Sequence, residues 1–325
     1  MSSNEATVSG DLAEQVKWFT KHLRRKNLAP RTIKTYVEDA TELADHLATV
    51  NAAELTKRHI ESYLDSLWER NLQPATVAKR FRSLQQFCKW LVIEEEVAVS
   101  PMAGMKPPVV PEKPVEVIPD DAFSLLLRDI IKDRKHDMFE SRRDEAILRV
   151  LGDCGIRLAE AVELTVESVD FDTDVIQVFG KGRRFRSIPF DDDTAQALQK
   201  YLRERAKHPA AAKARFVNPD DPKDPRTGDH MLWLGQRGVL RYSGLSQMVK
   251  RRSRRALGID GHIHPHQLRH TAAHAAAKSG LSETDMMRLF GWKSAAMPKL
   301  YGASAAEERA RDAKRSKGLG NRWDT

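Results

Sequence analysis

The sequence predicts a mainly α protein in two domains, a four-helix N-terminal domain and a larger α-rich domain carrying one small β-sheet. Three observations predict it. In the first hundred residues apolar positions recur at three and four, and nothing reads as a strand. Six prolines fall within the twenty residues from Ser100 to Pro119, a density no helix interior tolerates. Beyond them, helical text is broken by one stretch of strand character with a Gly-rich turn.

The elements follow in order. Residues 1–10 are read as a flexible start and 11–99 as the first domain. Its helices are expected over 11–26, 31–48, 57–70 and 75–93, with Val16, Phe19 and Leu23 marking one apolar face and Ile33, Tyr36, Val37, Ala40 and Leu43 the next. Pro30 and Pro74 suit helix starts, and Thr56 suits a cap. Residues 100–119 are read as an extended linker. The second domain is expected over 120–303, followed by a C-terminal segment, 304–325. In it, DDAFSLLLRDIIKD and ESRRDEAILRVLGDCGI read as helices, and VDFDTDVIQVFGKGRRFRSIPF as a hairpin turning at GKGR. Helix resumes at DDTAQALQKYLRERAKH. Residues 207–241, rich in Pro, Gly and Asp, read as an irregular connection, and Tyr242 falls in a loop-like stretch, before helices that run almost to Arg315.

Composition narrows the function. The chain of 325 residues has 41% hydrophobic and 31% charged residues, with no apolar run long enough to span a bilayer and no signal-peptide pattern at its start. A cytoplasmic protein without membrane contact is expected, with Cys88 and Cys154 as buried free thiols. The net charge of +8 favours a polyanionic partner. Residues 1–100 carry 14 Lys and Arg against 14 Asp and Glu, so the excess lies beyond residue 100. Cations still cluster early, in KHLRRKN and AKRFRSLQQFCKW, and again in QMVKRRSRRALG, the most basic run of the chain.

The chemistry concentrates in HIHPHQLRHTAAHAAAKSG, His262 to Gly280, which holds five of the eleven histidines. His266, His270 and His274 form an i, i+4, i+8 stripe of the kind metal sites use. Arg269 opposes that reading, because a permanent guanidinium repels a cation and forks onto phosphate or carboxylate. A proline just ahead of the motif marks a helix N-terminus, where backbone N–H groups favour an anion. If the ligand is a phosphate, other cations should converge on it. Arg157, at a helix start after Gly155, and Lys181, in the hairpin turn, are the candidates.

These pieces together resemble the tyrosine recombinase (phage integrase) family, and they occur in that family's order. G-x-R-x-x-E appears as Gly155 to Glu160, the hairpin lysine as Lys181, H-x-x-R-H as His266 to His270, L-G-H/W as Phe290-Gly291-Trp292, and the tyrosine as Tyr301, nine residues after Trp292. The resemblance spans nearly the whole chain, since the family also has an N-terminal helical core-binding domain of SAM-like fold and a Pro-containing linker. The start of the chain resembles the two-domain members without an arm-binding domain.

The resemblance implies DNA strand transesterification with no cofactor, metal or ATP. Consistent with this, the chain has no phosphate-binding loop G-x-x-x-x-G-K-[ST]. Arg157 and Arg269 would clamp the phosphate oxygens, where negative charge grows in the transition state. His266 would add a hydrogen bond and act in proton transfer. Trp292 stands where histidine is commoner; its N–H can donate but cannot shuttle a proton. Tyr301 would be the nucleophile, leaving a 3′-phosphotyrosine, with Lys181 protonating the 5′-oxygen. Glu160 and His270 would support these groups from behind.

Two domains on an extended linker suit a clamp around double-stranded DNA. Arg24, Arg25, Lys26, Lys79, Arg80, Arg82 and Lys89 in the first domain, and Lys250, Arg251 and Arg252 in the second, are the candidate DNA contacts. The resemblance implies a homotetramer on DNA carrying specific recombination sites, a free monomer, and an accessory bending or directionality factor. The C-terminal segment would dock between subunits. Integration of a phage or mobile element is the first reading of the task, and Xer-like resolution of chromosome or plasmid dimers the second. A catalytically silent DNA-binding relative, a type IB topoisomerase and a histidine metalloenzyme are the competing classes.

Overall fold

The structure, a computed structural model, describes residues 11–111, 115–180, 184–219, 223–258 and 261–317. The chain divides at 113/114 into two compact units. No helix among the described residues is long and apolar enough to cross a membrane.

The first unit holds four helices, α1 (Leu12–Arg25), α2 (Pro30–His46), α3 (Lys57–Glu69) and α4 (Pro74–Ile93). Pro30 and Pro74 sit in the first turn, where a missing N–H costs nothing. The amide of Thr56, ahead of α3, donates to His59 Nδ1 at 3.3 Å. The apolar stripes meet in a core around Phe19, Leu43, Ile60, Phe81 and Phe87, all at most 1% exposed. Phe19 and Phe87 pack edge to face, 5.2 Å between centroids.

Of the cations assigned to DNA here, Arg24, Arg25, Lys26, Lys79, Arg82 and Lys89 are exposed. Arg80 is a correction. Its guanidinium turns inward to Glu42 and the Tyr63 hydroxyl, and Glu42 is shared with Arg70. Next to the buried face of α4, it ties α4 to α2 and α3 and is not free for a phosphate.

The connection is shorter than the 100–119 expected. Met102 is buried in the first core, and Ile118 belongs to the second, with its amide donating to Thr271 Oγ1 at 2.9 Å.

The second unit contains α5 (Asp120–Asp133), α6 (Met138–Asp153) and a single turn, α7 (Leu158–Val162). Strands β1 (Val169–Asp170), β2 (Val175–Gly180) and β3 (Arg184–Pro189) form an antiparallel sheet in the order β1-β2-β3, with Val178 opposite Arg186. After α8 (Asp192–Ala206) the irregular stretch includes a second small sheet, β4 (Leu234–Gly235) with β5 (Gly238–Val239). The expectation of one sheet is corrected to two, because two-residue strands carry no alternation to read. Helices α9 (Tyr242–Leu257), α10 (Pro265–Lys278), α11 (Glu283–Phe290) and α12 (Ala296–Ser316) complete the unit. Tyr242 is thus the first residue of a helix and not part of a loop.

Two further expectations are corrected. Arg252 is 3% exposed. It lies on one face of α9 with Leu245, Met248 and Val249, and it bonds Asp144 Oδ2 at 2.7 Å and Asp133. Asp144, fully buried, also holds Arg143 at 2.7 Å. This network joins α9 to α5 and α6, so Arg252 is structural, whereas Lys250 and Arg251 on the other face are exposed. The division at 303/304 also fails, because α12 runs through it. Ala305 is fully buried, and Glu308 pairs with Lys278 and His274, at 2.7 and 3.3 Å.

Candidate active site

The site assembles on α7, α10, the C-terminal end of α11 and the start of α12. Its frame comes from Gly155 and Gly291, both with positive φ, at +57° and +61°. A Cβ at Gly155 would lie 2.5 Å from Phe290 and 2.9 Å from Ala272, so only glycine lets the chain turn here and lead into Arg157. Gly291 ends α11 in the left-handed conformation, and the Trp292 amide returns to Met287 O at 3.0 Å.

The end of α11 leaves carbonyls without helical partners, and three arginines from three other segments fill them. Arg186 Nε donates to Leu289 O (3.0 Å), Arg269 to Phe290 O (2.6 Å) and Arg157 to Gly291 O (3.2 Å). Guanidinium groups also complement the negative end of the helix. Arg269 reaches back to Gly155 O at 2.7 Å and is 3% exposed. Burial, with Arg157 nearby, lowers its pKa to about 10, so it stays charged at neutral pH. Arg157 keeps its side chain 42% exposed and is the guanidinium of the pair open to a ligand.

Glu160 lies behind them. It accepts from the Arg157 amide and guanidinium at 2.8 and 2.9 Å, and from Arg186 through both oxygens at 3.1 and 2.7 Å. Burial works to raise its pKa, but the Arg186 hydrogen bond and charge hold it below the ordinary value. Arg186 was not among the expected site residues. Its signal was available in β3, where it shares a strand face with buried Ile188 while Phe185 points outward. A charge on the inward face requires a partner.

Tyr301 lies in a small core formed by α10, α11 and α12 and is 1% exposed. Its ring stacks on Trp292, 5.3 Å between centroids and 11° from parallel, and Trp292 stacks on Phe290 at 4.9 Å. Burial pushes the phenol up to about 12, with Arg269 working against it. Its hydroxyl is hydrogen-bonded to His270 Nδ1. This corrects His270 from a supporting residue to one that touches Tyr301 directly. A helix turn earlier, His266 is exposed, its ring 4.3 Å from that of His270 and T-shaped to it. Burial and then Arg269 and Arg157 lower the pKa of His266. The third histidine of the stripe, His274, turns to Glu308. Among the described residues no three His, Cys, Asp or Glu side chains converge as metal ligands.

The structure therefore brings Arg157, Glu160, His266, Arg269, His270, Trp292 and Tyr301 together. A cleft of about 1230 Å³ opens beside them, lined by Arg157, Glu160, Arg186, Trp292 and Lys293, while Tyr301 is sealed from it. Lys181 lies outside the described residues.

The fold and this site define a tyrosine-type site-specific recombinase. The phage integrase family model matches residues 127–308, and the family's N-terminal SAM-like domain matches 16–97. The chain belongs to this family. It is 29% identical over 270 residues to tyrosine recombinase XerC of Chromobacterium violaceum, covering 82% of each chain. It is 27% identical to XerD of Corynebacterium glutamicum, covering 87% of this chain and 91% of that one. Among solved structures it shares its fold with the Tn1549 transposon integrase in complex with transposon right end DNA. There the TM-score is 0.70 at 19% identity, over 94% of this chain and 100% of that one. It also shares its fold with XerH recombinase bound to a palindromic difH substrate, at a TM-score of 0.68 and 17% identity, over 96% and 85% of the two chains.

Proposed function

We propose that this protein cleaves and rejoins DNA strands at specific sites through a 3′-phosphotyrosine at Tyr301, and that it integrates a phage or mobile element. The observation that carries the chemistry is the convergence of Arg157, Arg269, His266, Trp292 and Tyr301 from four separate segments of the chain. Arg157 bears directly on the non-bridging oxygens of the scissile phosphate, and Arg269, buried behind it on Gly155 O and Phe290 O, joins it as the site opens on DNA, two cations where charge develops. His266, exposed beside them, donates to the same phosphate. Trp292 orients the Tyr301 ring by stacking and offers its N–H to a phosphate oxygen. Lys181 delivers the proton to the leaving 5′-oxygen. Because Tyr301 is sealed, attack requires the start of α12 to shift when DNA binds.

The partner is double-stranded DNA. The exposed cations of α1, α4 and α9 neutralise its phosphates, and a homotetramer assembles on two duplexes in the cytoplasm, with an accessory factor setting direction. The decisive experiment uses nicked suicide substrates carrying candidate sites, with and without EDTA, and wild type against Tyr301→Phe. An SDS-resistant adduct that survives EDTA and vanishes in Tyr301→Phe is expected. An adduct retained by Tyr301→Phe sinks the assignment of the nucleophile.

A second reading, Xer-like resolution of dimers, has its own support in the relatives named XerC and XerD, which align over most of both chains. A plasmid with two directly repeated chromosomal sites separates the tasks. Resolution of that plasmid, with no joining of phage and host attachment sites, replaces the first reading by the second.

A further inference from the structure

We propose that Arg254 and His262 form a site for a DNA backbone phosphate that takes up a proton when the duplex binds, an inference that rests on the reading of double-stranded DNA as the partner. Lys250, Arg251 and Arg254 are exposed on α9 and line a recess of about 500 Å³ together with Arg255. Arg255 is already held by Asp129 and Asp133, at 3.0 and 2.9 Å. Among the described residues no carboxylate pairs with Lys250, Arg251 or Arg254, so three cations converge with no acid to neutralise them. A polyanionic backbone supplies the missing charge.

His262, half-buried ahead of α10, stands against the end of this row. Arg254 Nε lies 3.3 Å from its Nδ1, and Arg254 Nη2 lies 3.1 Å from its Nε2. A guanidinium only donates, and a ring nitrogen accepts only where it carries no proton. The contact therefore requires a neutral imidazole, whichever tautomer it adopts. The charged and titratable groups facing His262 are Arg254 and Lys250 from α9 and His264 from its own segment, whose ring is T-shaped to it at 5.7 Å. Asp260 lies outside the described residues. Burial first, then Arg254, His264 and Lys250, lower the pKa of His262. A phosphate reverses that balance. Its oxygens accept from the guanidinium and from the ring together, and its charge favours imidazolium. His262 then takes a proton from solvent and donates to a phosphate oxygen, beside Arg254 donating to the same group.

The test measures affinity for a labelled duplex of arbitrary sequence, which suffices because phosphate contacts carry no sequence information. Wild type, His262→Gln and Arg254→Gln are compared at about pH 8 and about pH 6, on either side of the ordinary histidine value. His262 is neutral in the free protein and charged in the complex, so affinity rises as pH falls through that value. Other titrating groups are common to wild type and His262→Gln, and the difference between the two isolates this ring. Wild type is expected to gain about 10-fold more affinity than His262→Gln. Its salt dependence should also steepen by about 0.9 in log–log slope at the lower pH, for one further cation on phosphate. The imidazole NMR signals of His262 in wild type should titrate at higher pH once duplex is added. Arg254→Gln should weaken binding at both pH values and let the free ring titrate closer to its ordinary value. Equal pH dependence in wild type and His262→Gln, or a ring titration unmoved by duplex or by Arg254→Gln, overturns the proposal. No binding of duplex at either pH overturns the reading of DNA as the partner.

Discussion

Arg186 and Glu160 meet through two parallel hydrogen bonds, at 3.1 and 2.7 Å, and the same carboxylate holds Arg157. The pair links β3, the second strand of the hairpin, to the turn that presents Arg157. With the Arg186 bond to Leu289 O it also steadies the end of α11, from which Trp292 follows. A fork of this kind fixes direction as well as distance.

Arg186→Lys keeps the charge but loses the fork. It is expected to bind DNA with near-normal affinity and to form adduct about 10-fold more slowly, an order-of-magnitude expectation for a misplaced supporting group. Arg186→Ala leaves Glu160 with Arg157 alone and is expected to cost about 3 kcal/mol of stability. Denaturant unfolding and single-turnover cleavage read the two effects. Wild-type cleavage by Arg186→Lys would show that Arg157 is held without it.

Gly155→Ala puts a Cβ into Phe290 and Ala272 at a position of positive φ. A loss of more than about 1 kcal/mol is expected, from backbone strain and overpacking together. Cleavage should fall with it, since the same turn sets Arg157. Thermal unfolding beside adduct yield measures this, and an unchanged melting temperature would contradict it.

Arg251 and Arg252 are neighbours with opposite fates. Arg252→Ala strips a buried partner from Asp144 and Asp133 and is expected to destabilise by about 3–5 kcal/mol. Arg251→Ala should leave stability unchanged, weaken DNA binding and lower the salt slope by about 1. Unfolding curves and salt titrations of DNA affinity should give opposite patterns for the two variants.

Stability should fall in acid through Asp133 and Asp224. Hydrogen bonds from Arg255 and Arg252 hold Asp133 at about 2, and one from Arg226 holds Asp224 at about 2. Both carboxyls are depressed on folding, so the unfolded chain binds protons first as pH drops. Their contribution is complete above the ordinary carboxylate value near 4 and is lost between about pH 4 and pH 2. Melting temperatures across that range should drop less for Asp133→Asn than for wild type, from a lower starting point. Parallel curves for the two proteins would show that Asp133 contributes no pH dependence.

The sequence by itself determined most of the elements and the order of the motifs, but not the β4-β5 pair or the start of α9. Apolar spacing placed the four N-terminal helices within a residue or two of α1 to α4, because helix period is a local property. The turn glycines and the motifs around Arg157, His266 to His270, Trp292 and Tyr301 were equally legible, since each is a short stretch whose meaning does not depend on distant residues. Only the tertiary structure decided which charges face solvent and which face each other. Arg186 and Glu160 are 26 residues apart, His270 and Tyr301 are 31, and Arg252 and Asp133 are 119. A basic run such as KRRSRR reads as uniformly exposed until packing turns one arginine of it inward. The physical reason is that burying a charge requires a partner, and a partner is chosen by which helices pack together, not by neighbours along the chain.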